Sequence, residues 1–304
     1  QTTKTGLVFL LNRKTGEPIF PVEEREVPQG AVEGDYVSKT QPFPTKPAPL
    51  NPTYFDPDKA FGFTFWDRGH CKRTAKKLRN EGLFTPPSLE GSIHYPSGVG
   101  GNNWGGPAID PERNIMVVNT NNMASLIVMV PREDCSKPLK ELSINKTQER
   151  FTNIESNEGA PYCNLRSMGF FSPLGVPCTE PPWGTLTAVD LNTGEHLWNV
   201  PLGTSKDLAP FPFWWIKGAP NMGGPTVTAT GVTFIGATSD HYLRAFDTET
   251  GEELAKFRLP TGGHATPMTY KNKNGRQFVI IAAGGHWAIG TPASDHLMAF
   301  ALPE

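Results

Sequence analysis

The chain has 304 residues, with 28 Lys+Arg against 30 Asp+Glu, 37% hydrophobic residues, 31 Gly, 30 Pro and 4 Cys. A net charge of −2 excludes a global basic field that would draw the protein to nucleic acid or anionic lipid. The longest apolar runs, Leu126–Val130 and Phe278–Ala283, fall well short of the roughly 18 residues of a membrane helix, and a Gly plus Pro share of about a fifth reads as many corners rather than disorder.

Gln1–Gly6 has no charged-then-apolar leader pattern, and the alternating Leu7–Leu11 follows at once, so the chain is expected to start inside a structural unit. Gly6–Phe20 (GLVFLLNRKTGEPIF) reads as an apolar strand, an Asn, a Thr-Gly turn, then Glu and a second short strand. Residues 28–100 follow as a Pro-rich insertion with one helix expected over Asp67–Glu81. Gly105–Asn122 supplies two strands, and a second insertion, residues 131–182, carries three of the four cysteines. The opening plan then returns twice, in Gly184–Trp198 (GTLTAVDLNTGEHLW) and Tyr242–Phe257 (YLRAFDTETGEELAKF), and a shorter copy, His296–Pro303, ends the chain. Gly suits the Thr-Gly turn because the turn needs a residue at positive φ. Gly223–Asp240 reads as a hairpin feeding the Tyr242 copy. His264–Gly285, turned at Asn274-Gly275, reads as a hairpin feeding the last one.

Repeated four-stranded units with Gly-rich corners predict an all-β fold, a β-propeller, with a meander or sandwich as the competing architecture. Two complete blades, a trailing half before residue 28 and a last blade without its outer strand amount to three to four blades. A closed ring needs more, so the remainder of the propeller is expected from another chain or from further sequence. The two insertions suit either a site or a cover over one end of the barrel.

Several features admit two readings. Cys71–Arg79 (CKRTAKKLR) is a basic segment that fits a polyanion or lipid headgroups, or simply a solvated helix face over a buried Cys71, Ala75, Leu78 stripe. The seven histidines show no metal-ligand spacing, and CxxC, GxGxxG, GxxxxGK[ST] and GxSxG are all missing. Ala283–Gly290 places His286 and Trp287 among glycines, which suits a flat ligand or a packed blade corner. Pro210–Gly224 gathers aromatics as a stacking platform or a core plug.

Gly6–Gly30, Gln41-Pro-Phe-Pro, Glu81–Ser88 (EGLFTPPS), Gly105–Pro111 (GGPAIDP), Asn221-MGGPTVT, Tyr242-LRAFD, Ala265-TPMTY and Ala283-GGH together resemble the membrane-bound quinoprotein dehydrogenases of the glucose/quinate/polyol group. These are bacterial enzymes that use pyrroloquinoline quinone (PQQ). The resemblance runs in order over essentially the whole chain. It implies an eight-bladed propeller with PQQ across its axis beside a divalent cation, Ca²⁺ or Mg²⁺. It also implies oxidation of a sugar or polyol, electron transfer to ubiquinone, and a place on the periplasmic side of the inner membrane.

Residue by residue, Lys4 matches the family lysine at the quinone oxygens, where an ammonium stabilises developing charge. Asn119 matches a pocket asparagine whose amide donates to a quinone oxygen, although a strand-end Asn is also ordinary turn chemistry. His286 matches a position near cofactor and substrate, with Trp287 on the same wall; Asp240 is read as blade structure. No catalytic residue is identifiable. The family's aspartate base, its cation ligands, its floor tryptophan and an early histidine all precede the Lys4 motif, so the chain is expected to be the C-terminal portion of one propeller domain, residues 1–304. The implied compartment permits disulfides, and Cys135 is expected to pair with Cys163. The alternative to an enzyme part is a non-catalytic propeller fragment acting as a binding or scaffold module.

Overall fold

The structure is a computed structural model that describes residues 1–138, 141–142 and 154–302. Part of the second insertion and Pro303 of the last repeat copy lie outside those residues. The first repeat copy forms isolated bridges, Thr2 to Val8 and Leu11 to Pro18, instead of the expected strand. Its later counterparts are flanked by a strand on each side, whereas Leu7–Leu11 has no regular strand beside it among the described residues. An exposed ribbon follows, β1 (Val22–Glu26) paired with β2 (Thr40–Pro44). Next come the helix α1 (Phe65–Ala75) and β3 (Ser92–His94).

The helix begins earlier and stops sooner than expected. The Thr64 side chain caps it by accepting from the Asp67 N–H at 3.2 Å. Beyond Lys76 the chain is drawn into an extended bridge between Arg79 and Ser92, which ends the helix.

Two complete blades follow. The first comprises β4 (Ala108–Asp110), β5 (Ile115–Asn121), β9 (Gly184–Asp190) and β10 (His196–Pro201), in the order β10-β9-β5-β4. The second comprises β11 (Thr226–Val227), β12 (Val232–Ile235), β13 (Tyr242–Asp247) and β14 (Glu253–Arg258), each paired with the next. A three-stranded sheet, β15 (Met268–Lys271), β16 (Gln277–Ala283) and β17 (His296–Phe300), ends the described chain. The sheets do not close a ring: this is an arc of a propeller.

The repeated turns share one construction. Asn12, Asp190 and Asp247 each accept from the backbone N–H two residues on, at 2.9, 2.7 and 3.0 Å. The following Gly16, Gly194 and Gly251 sit at φ of 79°, 71° and 74°, a region that only glycine enters without steric cost. Period-2 alternation then sorts the fully buried β5 between two cores. Ile115 and Val117 face Leu186, Ile235 and Phe246 toward the second blade, while Met116 and Val118 face Val8 and Leu50. Leu243, Leu259 and Ile281 join the second blade to the last sheet. At the inner corner the blades meet backbone to backbone, and a Cβ on Gly105 would lie 2.0 Å from the Gly223 carbonyl carbon.

The two insertions meet in a sheet of their own. β6 (Ser125–Pro131), β7 (Ile154–Glu155) and β8 (Tyr162–Arg166) join β3 in the order β3-β6-β8-β7, so the excursion between β5 and β9 is partly regular. α1 packs on this sheet through Cys71 and Ala75, with Leu78 just beyond its end. Disulfides link Cys71 to Cys178 and Cys135 to Cys163, the second being the pair that the resemblance implied. Asp240 serves the second blade as read: its carboxylate holds buried Arg244, with Nη1 at 2.9 Å, and accepts from the Thr204 N–H at 2.8 Å.

Candidate functional site

Lys4 occupies a tight turn closed by the Gly6 N–H donating to the Thr3 carbonyl at 3.0 Å. Its own carbonyl accepts from the Gly101 N–H at 2.8 Å. Its stem crosses Gly100, where a Cβ would come within 2.8 Å of the lysine Cγ, so the glycine makes the groove in which the side chain lies. The ammonium donates to the Val99 carbonyl at 3.0 Å and the Gly98 carbonyl at 3.4 Å. An ammonium has three N–H donors, so one remains for a ligand.

Two cavities meet at this lysine, and a third adjoins them. A chamber of about 240 Å³ is lined by Lys4, Val99, Trp104, Arg166, Met168 and Ala288, among others. A more open one of about 530 Å³ shares Lys4 and Gly98 and extends over Tyr36, Gln41, His94 and Tyr95. A mostly apolar one of about 380 Å³ shares Val99, Met168 and Ala288 with the first and includes Trp183, Ile216 and Leu208. Burial first, and then the charge of Arg166, pushes the His94 pKa below its usual value, which favours the neutral imidazole. Burial pushes the Tyr95 hydroxyl well above its usual value, keeping it a neutral donor.

Of the other expected residues, His286 and Trp287 lie at the short 3₁₀ turn Trp287–Ile289. The His286 ring accepts from the Ala288 N–H at 3.2 Å and stacks on Trp287 at 6.0 Å. Ala288 lines the lysine chamber; the two rings themselves are not among its walls. Asn119 is buried and is not among the walls of the chamber. Both amide hydrogens are engaged, with Asn221 Oδ1 at 2.7 Å and the Gly223 carbonyl at 3.2 Å. They are not free for a quinone oxygen, because the neighbouring blade approaches so closely there. Its buried Oδ1 is left without a partner among the described residues.

The sequence reading missed the asparagine network that holds the lysine turn. Asn102 donates to the Asn119 carbonyl at 3.2 Å and bonds Thr2, beside Lys4. Asn51 donates to the Asn121 carbonyl at 2.8 Å, and Asn121 donates to the Asn221 carbonyl at 2.7 Å. The signal was present as asparagines crowded beside glycine corners, Gly101-Asn-Asn and Asn119-Thr-Asn-Asn.

The description "PQQ: Glucose/ethanol/alcohol dehydrogenase, beta-propeller domain" fits residues 1–279 of this chain. The chain belongs to this PQQ β-propeller family. It is 40% identical over 311 residues to the quinoprotein glucose dehydrogenase of Escherichia coli, covering 99% of this chain and 38% of that protein. It is 36% identical over 313 residues to the glycerol dehydrogenase large subunit of Gluconobacter oxydans, covering 99% of this chain and 42% of that one. The chain thus spans about two fifths of the length of these relatives. A europium-containing methanol dehydrogenase superposes with a TM-score of 0.52 at 18% identity, covering 94% of this chain and 36% of its own, a likeness of fold.

The residues present fit an anionic, flat quinone of the PQQ type. Lys4 brings an ammonium to the chamber and Arg166 a guanidinium paired with Glu155 at 2.8 Å, Trp104, Met168 and Met222 bring apolar surface, and no Asp or Glu lines it. They do not fit a divalent cation: among the described residues no three His, Cys, Asp or Glu come together as a ligand group. No step is assigned to a metal on this chain.

Proposed function

We propose that this chain builds one wall of the PQQ site of a dehydrogenase that oxidises a sugar or polyol, and that its electrons pass to ubiquinone at the periplasmic side of the bacterial inner membrane. The observation that carries this reading is the position of Lys4, held where two cavities meet with one ammonium N–H unspent. When bound, PQQ supplies the two-electron acceptor for the alcohol's hydride. Lys4 holds it and balances negative charge there, Arg166, paired with Glu155 at 2.8 Å, offers its remaining guanidinium N–H groups, and Val99, Met168 and Met222 supply apolar walls. His286 and Trp287 stiffen the turn that presents Ala288 to the chamber. Asn119 contributes as a positioning residue through the asparagine network, with its unpaired Oδ1 as a spare acceptor.

None of the three cavities is lined by an Asp or Glu. The general base and the Ca²⁺ or Mg²⁺ ligands are therefore assigned to the remainder of the propeller. Residues 28–100 and 205–222 edge the two outer cavities, and substrate selection is assigned to them; the apolar cavity is the better route for a quinone acceptor. The same lack of a carboxylate favours the second reading, a non-catalytic scaffold module.

The test uses the protein with its complete propeller, loaded with PQQ and Ca²⁺, and follows dye reduction with glucose, quinate and glycerol. Cofactor-dependent turnover with at least one of them is expected. No turnover with any, in protein shown to bind PQQ, leaves the scaffold reading standing.

A further inference from the structure

Two segments that the site does not use bring large aromatic side chains to the surface side by side. At the start of α1, Phe65 is 89% exposed and Trp66 is also exposed. In the segment 208–215, Phe211 is 75% and Trp215 70% exposed, with Leu208 and Trp214 beside them. The Phe63 and Phe213 rings stack with centroids 4.6 Å apart and hold the two segments together. The Leu174 N–H, donated to Asp67 at 3.3 Å, adds exposed Leu174 to the same neighbourhood. Monomeric soluble proteins rarely gather so many exposed aromatics in one place.

The charge beside this patch is mostly positive. Between Phe65 and Lys77 stand five cations, Arg68, Lys72, Arg73, Lys76 and Lys77, against the single carboxylate of Asp67, which is buried. Lys72 and Lys76 share Asp58, at 2.8 and 3.4 Å, so positive charge remains in excess. Across the patch Lys217 is exposed, and Asp207 is tied to Arg258 at 2.9 Å. Tryptophan and phenylalanine flanked by Lys and Arg is the pattern of a surface that settles into the headgroup layer of an anionic membrane, where the rings reach the acyl boundary and the cations meet lipid phosphates.

We propose that the face formed by Phe65, Trp66, Phe211, Trp214 and Trp215, with the basic α1 beside it, docks on an anionic lipid bilayer. Leu208, Ala209 and Pro210 of the same segment line the apolar cavity that adjoins the Lys4 chamber. Docking would thus set that cavity beside the acyl layer, open to an apolar molecule dissolved in the membrane. The inference deepens the reading of that cavity as an acceptor route, but its test reads lipid contact without cofactor or substrate, so either reading fails separately.

The four cysteines of this chain are taken up by its two disulfides, and labelling of the parent protein serves as the blank for an introduced thiol. The full-length protein carries an environment-sensitive fluorophore at Trp215→Cys, Phe65→Cys or, as control, the distant hairpin position Asn274→Cys. Each is mixed with vesicles of phosphatidylcholine alone, or with phosphatidylglycerol added, whose acyl chains are brominated to quench fluorescence. Quenching of at least twofold at positions 65 and 215 but not 274, stronger with phosphatidylglycerol and weakened by 0.5 M salt, is expected. Serine at positions 65, 66, 211 and 215 together should cut quenching of a probe at Leu208→Cys at least fivefold while leaving the circular dichroism unchanged. Equal quenching at all three sites, none at any, or burial of the 215 probe through self-association in lipid-free solution would overturn the proposal.

Discussion

In the blade of β11–β14 each strand pairs with its neighbour in sequence, and a buried Asp240–Arg244 pair ties its corner to the preceding loop. In the sheet β3-β6-β8-β7 the partners come from two separate insertions, and disulfides spanning 107 and 28 residues fasten it. The blade is closed by local turns and inter-blade apolar cores. The insertion sheet meets its partners only after long loops have closed, and cross-links reduce that entropy cost. One region is thus a unit of repeated local order, whereas the other depends on covalent fastening.

The sharpest way to break this contrast is to replace both Cys71 and Cys178 by Ser. Loop-closure entropy for so long a loop is worth about 4.7 kcal/mol. Hydrogen exchange should show β3, β6, β8 and α1 losing protection while β11–β14 keep theirs; equal loss everywhere would erase the distinction. A comparable effect confined to the other region is expected of Asp240→Asn, which strands buried Arg244 and costs about 3–5 kcal/mol. Here denaturant unfolding should weaken the blades and leave the insertion sheet clipped.

The same pair gives an acid limb. Burial works to raise the Asp240 pKa, but Arg244, Thr238 and Thr204 hold it below the usual carboxylate range. Its stabilisation is therefore present above the unfolded value of about 3.9 and is lost as the pH falls through the lower folded value. Asp240→Asn should flatten that limb in thermal melts between pH 5 and pH 2.

The smallest effect belongs to His264, which bonds the Ala237 carbonyl and the Thr291 hydroxyl at 2.9 Å each. Burial pushes its pKa below the usual value. The folded chain then binds fewer protons than the unfolded one below about pH 6.5, and stability falls as acidity increases. His264→Gln should give a shallower stability slope between pH 7 and pH 5 than the parent; an unchanged slope would remove His264 from the acid response.

The blades were legible because their signals are local. Period-2 alternation in Tyr242–Asp247 and Thr-Gly before Glu252 need only neighbours in sequence to take effect. The helix was misplaced because Thr64 caps it and a bridge to Ser92 stops it, the second a tertiary event. The pairing of β3 with β6 and β8 leaves no local trace. At the site, only the family resemblance singled out Lys4. The asparagines were visible, but that Asn121 would meet Asn221 depends on which blades stand side by side. The same blade contact engages the Asn119 amide with Asn221 and Gly223.

The central claim, that Lys4 faces a PQQ-binding chamber, is tested most directly by equilibrium titration of PQQ into the complete propeller carrying Lys4→Ala or Lys4→Arg. A charge-assisted hydrogen bond is worth about 1.5–3 kcal/mol, roughly a ten- to hundredfold change in affinity. Lys4→Ala should weaken binding by at least tenfold at unchanged melting temperature, and Lys4→Arg should recover part of it. Affinity indistinguishable from the parent in Lys4→Ala would contradict the account.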